Sequence, residues 1–385
     1  MIIDKLRVKN YKSLEDVEVP LRPLTVFVGP NNSGKSNIQD AFRFLKELAF
    51  VGSQAVLGRG GLQDVVWGGD LKRPVEIELE GQIRDAQLDQ RPFKYQVGIK
   101  ATPWGYGINK ETFILRVDDS ERTLLESSEQ FGFRTTNEQE PDQETGRWGQ
   151  ENRLGIFRLQ GSLDLRHYTA ASFASAVAEW FFYRLAPSRM GTPGPARKEK
   201  YLLEEGDNLA TILLSIQSED RTAFSELEGY LHAAIPEVEE LSVGLTEDNR
   251  AYFRWRESGL PSDFRVKSWL SSEGTRQILG LLALRFAPSL PPLICIEDPD
   301  NFIHPGLTEL VADLLKSISS RAQVLVNTHS PYLLNQLLPE DLLIVEKKEG
   351  KTQVRPLSDQ EGIKDAVQIL GLGELWYSGH IGGVP

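Results

Sequence analysis

The apolar positions of the chain change period several times, and each change predicts an element. Ile3, Leu6 and Val8 read as a strand, Asn10 to Ser13 as a turn and Val17 to Leu21 as a second strand, so an opening hairpin is expected. The largely apolar run Leu24 to Val28 ends in Gly29-Pro30-Asn31-Asn32-Ser33-Gly34-Lys35-Ser36. Ile38, Ala41, Phe42, Leu45 and Leu48 then recur at helical spacing, giving the order strand, glycine loop, helix. From Pro74 to about Arg166 short alternating runs between Gly, Pro and Asp clusters predict a mostly antiparallel sheet, with the polar tract Asn137 to Asn152 as a mobile loop.

Ala170 to Trp180 reads as a helix, Phe181 to Leu185 as a strand and Gly191 to Ala196 as a linker. Leu209 to Ile216 and Phe224 to Ile235 are amphipathic and open a more helical lobe. The last third returns to α/β order: helix Thr275 to Phe286, strand Leu293 to Ile296, helix Leu307 to Ile318, strand Gln323 to Asn327, helix Pro331 to Leu338, strand Leu342 to Glu346. Leu293-Ile294-Cys295-Ile296 and Val324-Leu325-Val326 are apolar at every position, as suits parallel strands covered on both faces. The fold class is therefore α/β. No internal repeat and no sustained heptad pattern is present, which speaks against a long coiled coil.

Composition narrows the class. With 40% apolar and 25% charged residues, the 385-residue chain is that of a globular protein and not of a disordered one. No apolar run approaches the roughly 20 residues of a bilayer span, and MIIDKLRVKN places charges where a signal peptide is apolar, so a cytoplasmic protein with no membrane partner is expected. The single cysteine, Cys295, excludes an intramolecular disulfide framework and a cysteine zinc site, and five scattered histidines without HExxH make a histidine zinc site a poor fit. The net charge of −12 repels polyanions, so contact with nucleic acid would need a local basic face.

Four segments carry chemistry. Gly29 to Ser36 matches GxxxxGK[ST] between a strand and a helix: loop amides face a β-phosphate, Lys35 reaches the β- and γ-phosphates and Ser36 coordinates Mg²⁺. The strand Leu293 to Ile296 delivers Glu297 and Asp298 at its C-terminal end, where ligands sit in open α/β sheets; Glu297 suits the Mg²⁺ shell and Asp298 the attacking water, although acidic residues there also cap helices. Ser271-Ser272-Glu273-Gly274-Thr275-Arg276 precedes an apolar helix, and Ser272 alone reads as an ordinary N-cap. Asn327-Thr328-His329-Ser330-Pro331 puts a histidine at a buried strand's tip, either as a structural hydrogen-bonder or beside a γ-phosphate.

In this order and spacing the four segments resemble the ATP-binding-cassette ATPase head of the RecF, SMC and OLD (overcoming lysogenization defect) class, over nearly the whole chain. The opening RVKNYKSLEDVEV and the closing GELWYSGHIGGVP resemble stand-alone bacterial ATPases of that class. The resemblance implies a mixed sheet around the phosphate loop, an antiparallel β insertion and a helical signature lobe, divided as 1–190, 191–285 and 286–385. It implies ATP and Mg²⁺ as cofactors, with ATP contacts from Gly29, Asn32, Ser33, Gly34, Lys35, Ser36 and Asn37. Lys12 resembles the basic residue that reaches the nucleotide from the first hairpin, and reads equally well as a solvated turn lysine. Ser36 and Glu297 are the implied metal ligands; Asp298, Glu297 and the switch residue His329 the implied catalytic groups; and Ser272, Glu273, Gly274 and Thr275 a signature contacting ATP in trans within a nucleotide-dependent homodimer.

Three departures stand out. Glu297 precedes Asp298 where most such proteins have Asp then Glu, and the shorter second carboxylate should slow hydrolysis, since displacing a catalytic group by about 1 Å costs ~10²-fold. The signature reads SSEGT in place of LSGGQ. The Q-loop is open between Gln63 and the stretch Arg184 to Arg189.

The expected function is a slow ATPase switch controlling a separately encoded effector, such as a nuclease or toxin, in anti-phage defence or DNA repair. The alternative is an ATP-dependent assembly scaffold with negligible turnover; a transporter ATPase fits the motifs but not the opening hairpin. About forty residues follow the last core strand, too few for an appended Toprim nuclease domain. Two further runs are open to a nucleic-acid reading: the interleaved Arg250 to Arg256, where alternation puts Phe253 and Trp255 inward and Arg254 and Arg256 outward, and the basic linker of Arg189, Arg197, Lys198 and Lys200.

Overall fold

The computed structural model describes residues 1–102, 105–118, 120–128, 132–136, 144–148, 154–160 and 167–383. Strands β1 (Ile2–Tyr11) and β2 (Leu14–Pro20) form the opening hairpin, and β3 (Leu24–Val28) runs through the glycine loop into the helix Lys35–Phe50. β4 (Val75–Arg84), β5 (Gln90–Thr102), β6 (Gly105–Val117), β7 (Ser120–Ser128), β8 (Gly132–Thr136) and β9 (Glu144–Trp148) extend the hairpin into an antiparallel sheet ordered β2-β1-β4-β5-β6-β7-β8-β9. β9 corrects the expectation of a mobile loop over Asn137 to Asn152: residues 144–148 pair with β8, and the rest of that tract lies outside the described residues.

After the helix Tyr168–Ala178 comes the short β10 (Phe181–Tyr183). The helices Leu209–Glu219 and Arg221–Ala234 follow, the second capped by Asp220, whose carboxylate accepts from Ala223 N at 2.9 Å. This part of the chain is less helical than its pattern suggests. It also holds a small antiparallel sheet of β11 (Gly194–Pro195), β12 (Val238–Leu245), β13 (Arg250–Glu257) and β14 (Val266–Lys267). On β13, Phe253 and Trp255 are buried while Arg256 turns out to Glu239 at 3.2 Å, so the interleaved run is a half-solvated strand. The basic linker is likewise engaged with acids: Arg189 with Asp207 and Glu205, Lys198 with Glu219, Lys200 with Glu179.

β15 (Leu293–Glu297), β16 (Gln323–Asn327), β17 (Leu342–Lys348) and β18 (Lys351–Pro356) complete a second sheet ordered β10-β15-β16-β3-β17-β18, parallel up to β17 and closed by the β17–β18 hairpin. The helix beginning at Pro331 stops at Leu334, four residues short of the expected end. There the Asn335 side chain accepts from Gly373 N at 2.6 Å, tying the helix end to the C-terminal helix Leu372–Tyr377.

Alternation along the parallel strands sets the layers. Leu293, Cys295, Leu325, Leu343 and Val345 pack on the helix Lys35–Phe50, while Ile294, Ile296, Val324, Val326, Leu342 and Ile344 pack on the opposite side against the helices Glu273–Phe286 and Thr308–Ser319. The helix Lys35–Phe50 is held between the sheets, with Phe42 edge-on to Trp180 at 5.5 Å and Phe44 against Tyr11 at 5.2 Å. Its N-terminus therefore points at the C-terminal ends of the parallel strands. Among the described residues no helix is long and apolar enough to cross a membrane.

Candidate nucleotide-binding site

The loop between β3 and the helix Lys35–Phe50 needs both of its outer glycines. A Cβ at Gly29 would collide with the carbonyl of Val345 on β17, and one at Gly34 with Oγ1 of Thr352 on β18; Gly34 also has φ +110°. Asn32 takes the left-handed conformation too, at φ 63°, one of the side chains that tolerates it. A hydrogen-bond clamp fixes the loop from the far edge of the sheet. Thr352 Oγ1 donates to Ser33 O at 2.8 Å and contacts Ser13 Oγ at 2.7 Å, and Asn37 Nδ2 donates to Ser13 Oγ at 2.7 Å. Asn37, expected at the ATP, thus has its amide on this clamp, although it also lines the cavity beside the loop.

Lys35 is buried and donates to the carbonyls of Gly29 at 2.7 Å and Pro30 at 2.9 Å. Burial lowers its pKa to about 8, with nearby Asp298 opposing the shift. Asp298 follows β15 with φ 42°, and its N–H donates to Asn327 O at 2.9 Å, which locks the ends of β15 and β16 together. Its own pKa is raised, first by burial and then by Asp300, while Lys35 and Arg184 hold it down. His329 sits on the exposed lip after β16, and desolvation and then Lys35 depress its pKa while Asp300 counteracts, which favours a neutral imidazole.

Glu297 shares the strand face of Cys295, and with Ser36, Asn37, Gln39 and Arg184 it lines a cavity of about 310 Å³ beside the loop. Arg184 Nε lies 3.7 Å from Glu297 Oε2. Arg184 is thus the Q-loop candidate that the fold brings to the site; Gln63 is exposed on the short helix Leu62–Val65 and does not line the cavity. Lys12, at φ 48°, reaches the same cavity wall but is paired with Asp40 Oδ2 at 2.5 Å. Burial would raise the Asp40 pKa, yet hydrogen bonds from Arg59, Lys12 and Tyr11 hold it down at about 2. This knot escaped the sequence reading, because Tyr11 and Lys12, Asp40 and Arg59 come from three segments with no shared pattern.

Around the signature segment the N-cap reading is correct geometry. Ser272 Oγ accepts from Thr275 N at 3.1 Å and contacts Thr275 Oγ1 at 2.8 Å, opening the helix Glu273–Phe286 with Ser272 and Glu273 exposed. Gly274 is required by packing, since a Cβ there would lie 2.7 Å from the carbonyl of Phe302 in the loop after Asp298. Gln277, one turn on, donates to Pro299 O at 3.0 Å, so the same helix fixes that loop twice.

The donor chemistry fits Mg²⁺ and a triphosphate. Among the described residues no group of three or more His, Cys, Asp or Glu is placed to hold a metal, but Ser36 and Glu297 offer two hard oxygens on one cavity, the small protein share that Mg²⁺ takes when phosphates and water supply the rest.

Known proteins agree with this architecture. The fold is similar to an SMC head solved bound to the C-terminal winged-helix domain of ScpA, at 15% identity and TM-score 0.57, covering 92% of this chain and 98% of that one. It is also similar to an SMC head with an extended coiled coil bound to the C-terminal domain of ScpA derived from Pyrococcus furiosus, at 14% identity and TM-score 0.54, covering 95% and 99%. Short stretches match the DNA replication and repair protein RecF of Corynebacterium jeikeium, 42% identical over 64 residues, and the OLD nuclease of Thermus scotoductus, 51% identical over 37 residues. These stretches cover 16% and 10% of this chain, and 15% and 7% of those relatives. The expected class, an ABC-type ATPase head of the RecF, SMC and OLD kind, holds. A family model spans residues 24–335, and the chain belongs to the family described as AAA domain, putative AbiEii toxin, Type IV TA system.

Proposed function

We propose that this ATPase binds ATP with Mg²⁺ at the loop Gly29 to Ser36 and hydrolyses it slowly, as a cytoplasmic switch that pairs with a second copy of itself and controls a separate effector. The observation that carries the reading is the convergence of Ser36 and Glu297 on one cavity, with Lys35, Asp298 and His329 electrostatically coupled at the same strand ends. The Lys35 amino group exchanges the carbonyls of Gly29 and Pro30 for the β- and γ-phosphates, and the amides around Ser33 and Gly34 complete the anion cradle. Ser36 and Glu297 would hold Mg²⁺, which when bound would neutralise charge on the phosphates. Asp298 orients the attacking water, and His329 hydrogen-bonds the γ-phosphate. The helix start at Ser272, Glu273, Gly274 and Thr275, exposed at its first two residues, serves the partner copy's ATP, the dipole favouring an anion there. In this scheme residues 1–190 and 286–385 form the ATPase lobe and 191–285 the signature lobe.

A place in a toxin–antitoxin or repair process is in keeping with the family's description and with the matches to an OLD nuclease and a repair protein, and control of a separate effector is the further step of this proposal. Direct DNA contact is weakly supported, since the basic linker is engaged with acids. The second reading, a scaffold with negligible turnover, is favoured by the shorter carboxylate at Asp298.

Steady-state phosphate release decides between them. The switch predicts measurable turnover that falls ~10²-fold or more in Asp298→Ala while ATP binding persists, because the lost group acts in the transition state. ATP-dependent dimerisation without turnover supports the scaffold, and turnover retained in Asp298→Ala but lost in Glu297→Ala reverses the two roles. Co-purification of neighbouring gene products with and without ATP tests the effector.

A further inference from the structure

At the end of β16 one polar side chain is both buried and without a partner. Asn327 is 4% exposed, and neither its Oδ1 nor its Nδ2 has a hydrogen-bond partner. Its backbone, by contrast, is fully used, with the carbonyl accepting from Asp298 N and the strand paired on both sides to β15 and β3. A carboxamide with both ends unpaired sits badly in a core where the buried amides of Asn10, Gln39, Asn208, Gln277 and Gln323 each make at least one bond.

Its place in the sheet says what it faces. Asn327 has the parity of Leu325, so it lies on the side of β16 that packs on the helix Lys35–Phe50, the side shared by Glu297, its register partner on β15. Gln39 Nε2 donates to Leu325 O at 3.3 Å, which fixes how helix and strand lie on one another. The helix runs against the strand, so one turn back from Gln39, ~5.4 Å, brings Lys35 and Ser36 over the position two residues on from Leu325, ~6.6 Å. That position is Asn327. It therefore lies beside Glu297, on the face that the first turn of the helix covers.

We propose that Asn327 is a positioning residue for the metal: its carboxamide hydrogen-bonds a water of the Mg²⁺ shell and so orients that shell between Ser36 and Glu297. This rests on the reading of the site as one for MgATP. A carboxamide can accept from such a water through Oδ1 and donate through Nδ2 to a phosphate oxygen, a combination that neither a purely apolar side chain nor a lysine provides. Groups that hold a metal's outer shell typically change metal affinity ~10- to 100-fold when removed.

The test compares full-length wild type with Asn327→Leu and Asn327→Asp. MgCl₂ is titrated against protein and ATP, with ATP binding in EDTA and thermal midpoint without nucleotide measured in parallel. Asn327→Leu is expected to keep or raise the thermal midpoint, since it removes an unpaired buried polar group, to bind ATP in EDTA as wild type does, and to need ~10-fold more Mg²⁺ for half-saturation. Asn327→Asp keeps an acceptor for the metal's water and should return to within about threefold of wild type. An unchanged Mg²⁺ requirement in Asn327→Leu overturns the proposal, as does a loss of stability and of EDTA binding together, the mark of a structural asparagine. Wild type that binds ATP but shows no Mg²⁺ dependence overturns it too. Wild type that binds no ATP overturns the reading of the site itself.

Discussion

The two large sheets handle polar residues in opposite ways. On the antiparallel sheet, charged side chains alternate along whole strands and neutralise one another across the outer face: Lys5 with Glu80 at 2.8 Å, Arg7 with Asp16 at 3.0 Å, Lys94 with Glu78 and Glu80 at 2.9 and 3.0 Å. Apart from Thr25 and Gln323 near their beginnings, β3, β15 and β16 are apolar on both faces until their C-terminal ends, where Gly29, Glu297, Asp298 and Asn327 gather. There the polar groups are incompletely matched: Asn327 and Ser33 Oγ have no partners, and Lys35 rests on carbonyls without a carboxylate in hydrogen-bond range. Single unpartnered atoms occur on the antiparallel sheet as well, at Asn10, Asn109 and Ser127. Among the described residues, only at the parallel strand ends does a whole unmatched carboxamide stand near a buried lysine, an arrangement suited to binding something.

The largest effect is expected from Lys35→Ala. It removes the buried cation of the loop and should weaken ATP binding by ~10²-fold or more, as measured by equilibrium titration. Affinity within twofold of wild type would move the site elsewhere. The same lysine gives a pH signature. With its free-state pKa near 8, ATP affinity should hold up to that pH and fall as the amine deprotonates above it, and this fall should be missing from Lys35→Ala.

A smaller effect is expected where the antiparallel sheet breaks its own rule. Glu111 on β6 is fully buried, accepting from Gly155 N at 2.6 Å, Ile156 N at 3.1 Å and the Tyr95 hydroxyl at 2.9 Å. Burial outweighs these bonds and raises its pKa to about 7. The folded state thus holds the proton more tightly than the unfolded chain, so stability is greatest below about pH 4.5 for this group and is lost as the pH rises through 7. Between those limits the loss is on the order of 3 kcal/mol, and denaturant unfolding of wild type against Glu111→Gln should show it as a pH-dependent difference. Parallel pH profiles would mean that Glu111 does not titrate there. Nucleotide affinity should be unaffected by Glu111→Gln, because this carboxyl serves the insertion and not the strand ends.

The least effect belongs to the outer face. Lys94→Ala should cost under ~1 kcal/mol by denaturant unfolding and leave ATP binding unchanged, since half-exposed pairs gain little over hydration. A larger cost would show that the ladder acts as a network.

Legibility in the sequence follows the same division. β3, the loop and its helix are readable because the apolar period switches from strand to helix across a glycine loop, and Glu297-Asp298 because a fully apolar strand ends on them. The inward Phe253 and Trp255 are readable by alternation alone. β9 is not, because Glu144–Trp148 joins the sheet by backbone pairing to β8 within a polar tract. Nor is the early end of the helix Pro331–Leu334, set by Asn335 meeting Gly373 nearly forty residues on. Thr352, Ser13 and Asn37 clamp the loop from three places in the chain, and Asn327 reads as an ordinary polar strand end until its neighbours are known. Local periodicity is written in adjacent residues; a site assembled from strand ends is written in topology.

In the proposed scheme the strand-end site holds MgATP and a second copy completes it through Ser272. Sedimentation of Asp298→Ala with and without ATP and Mg²⁺ reads this out. A monomer should become a dimer with nucleotide, and should stay a monomer under both conditions when Ser272→Arg is added, ATP still bound. A nucleotide-loaded Asp298→Ala protein that stays monomeric, or a Ser272→Arg protein that dimerises equally well, would contradict it.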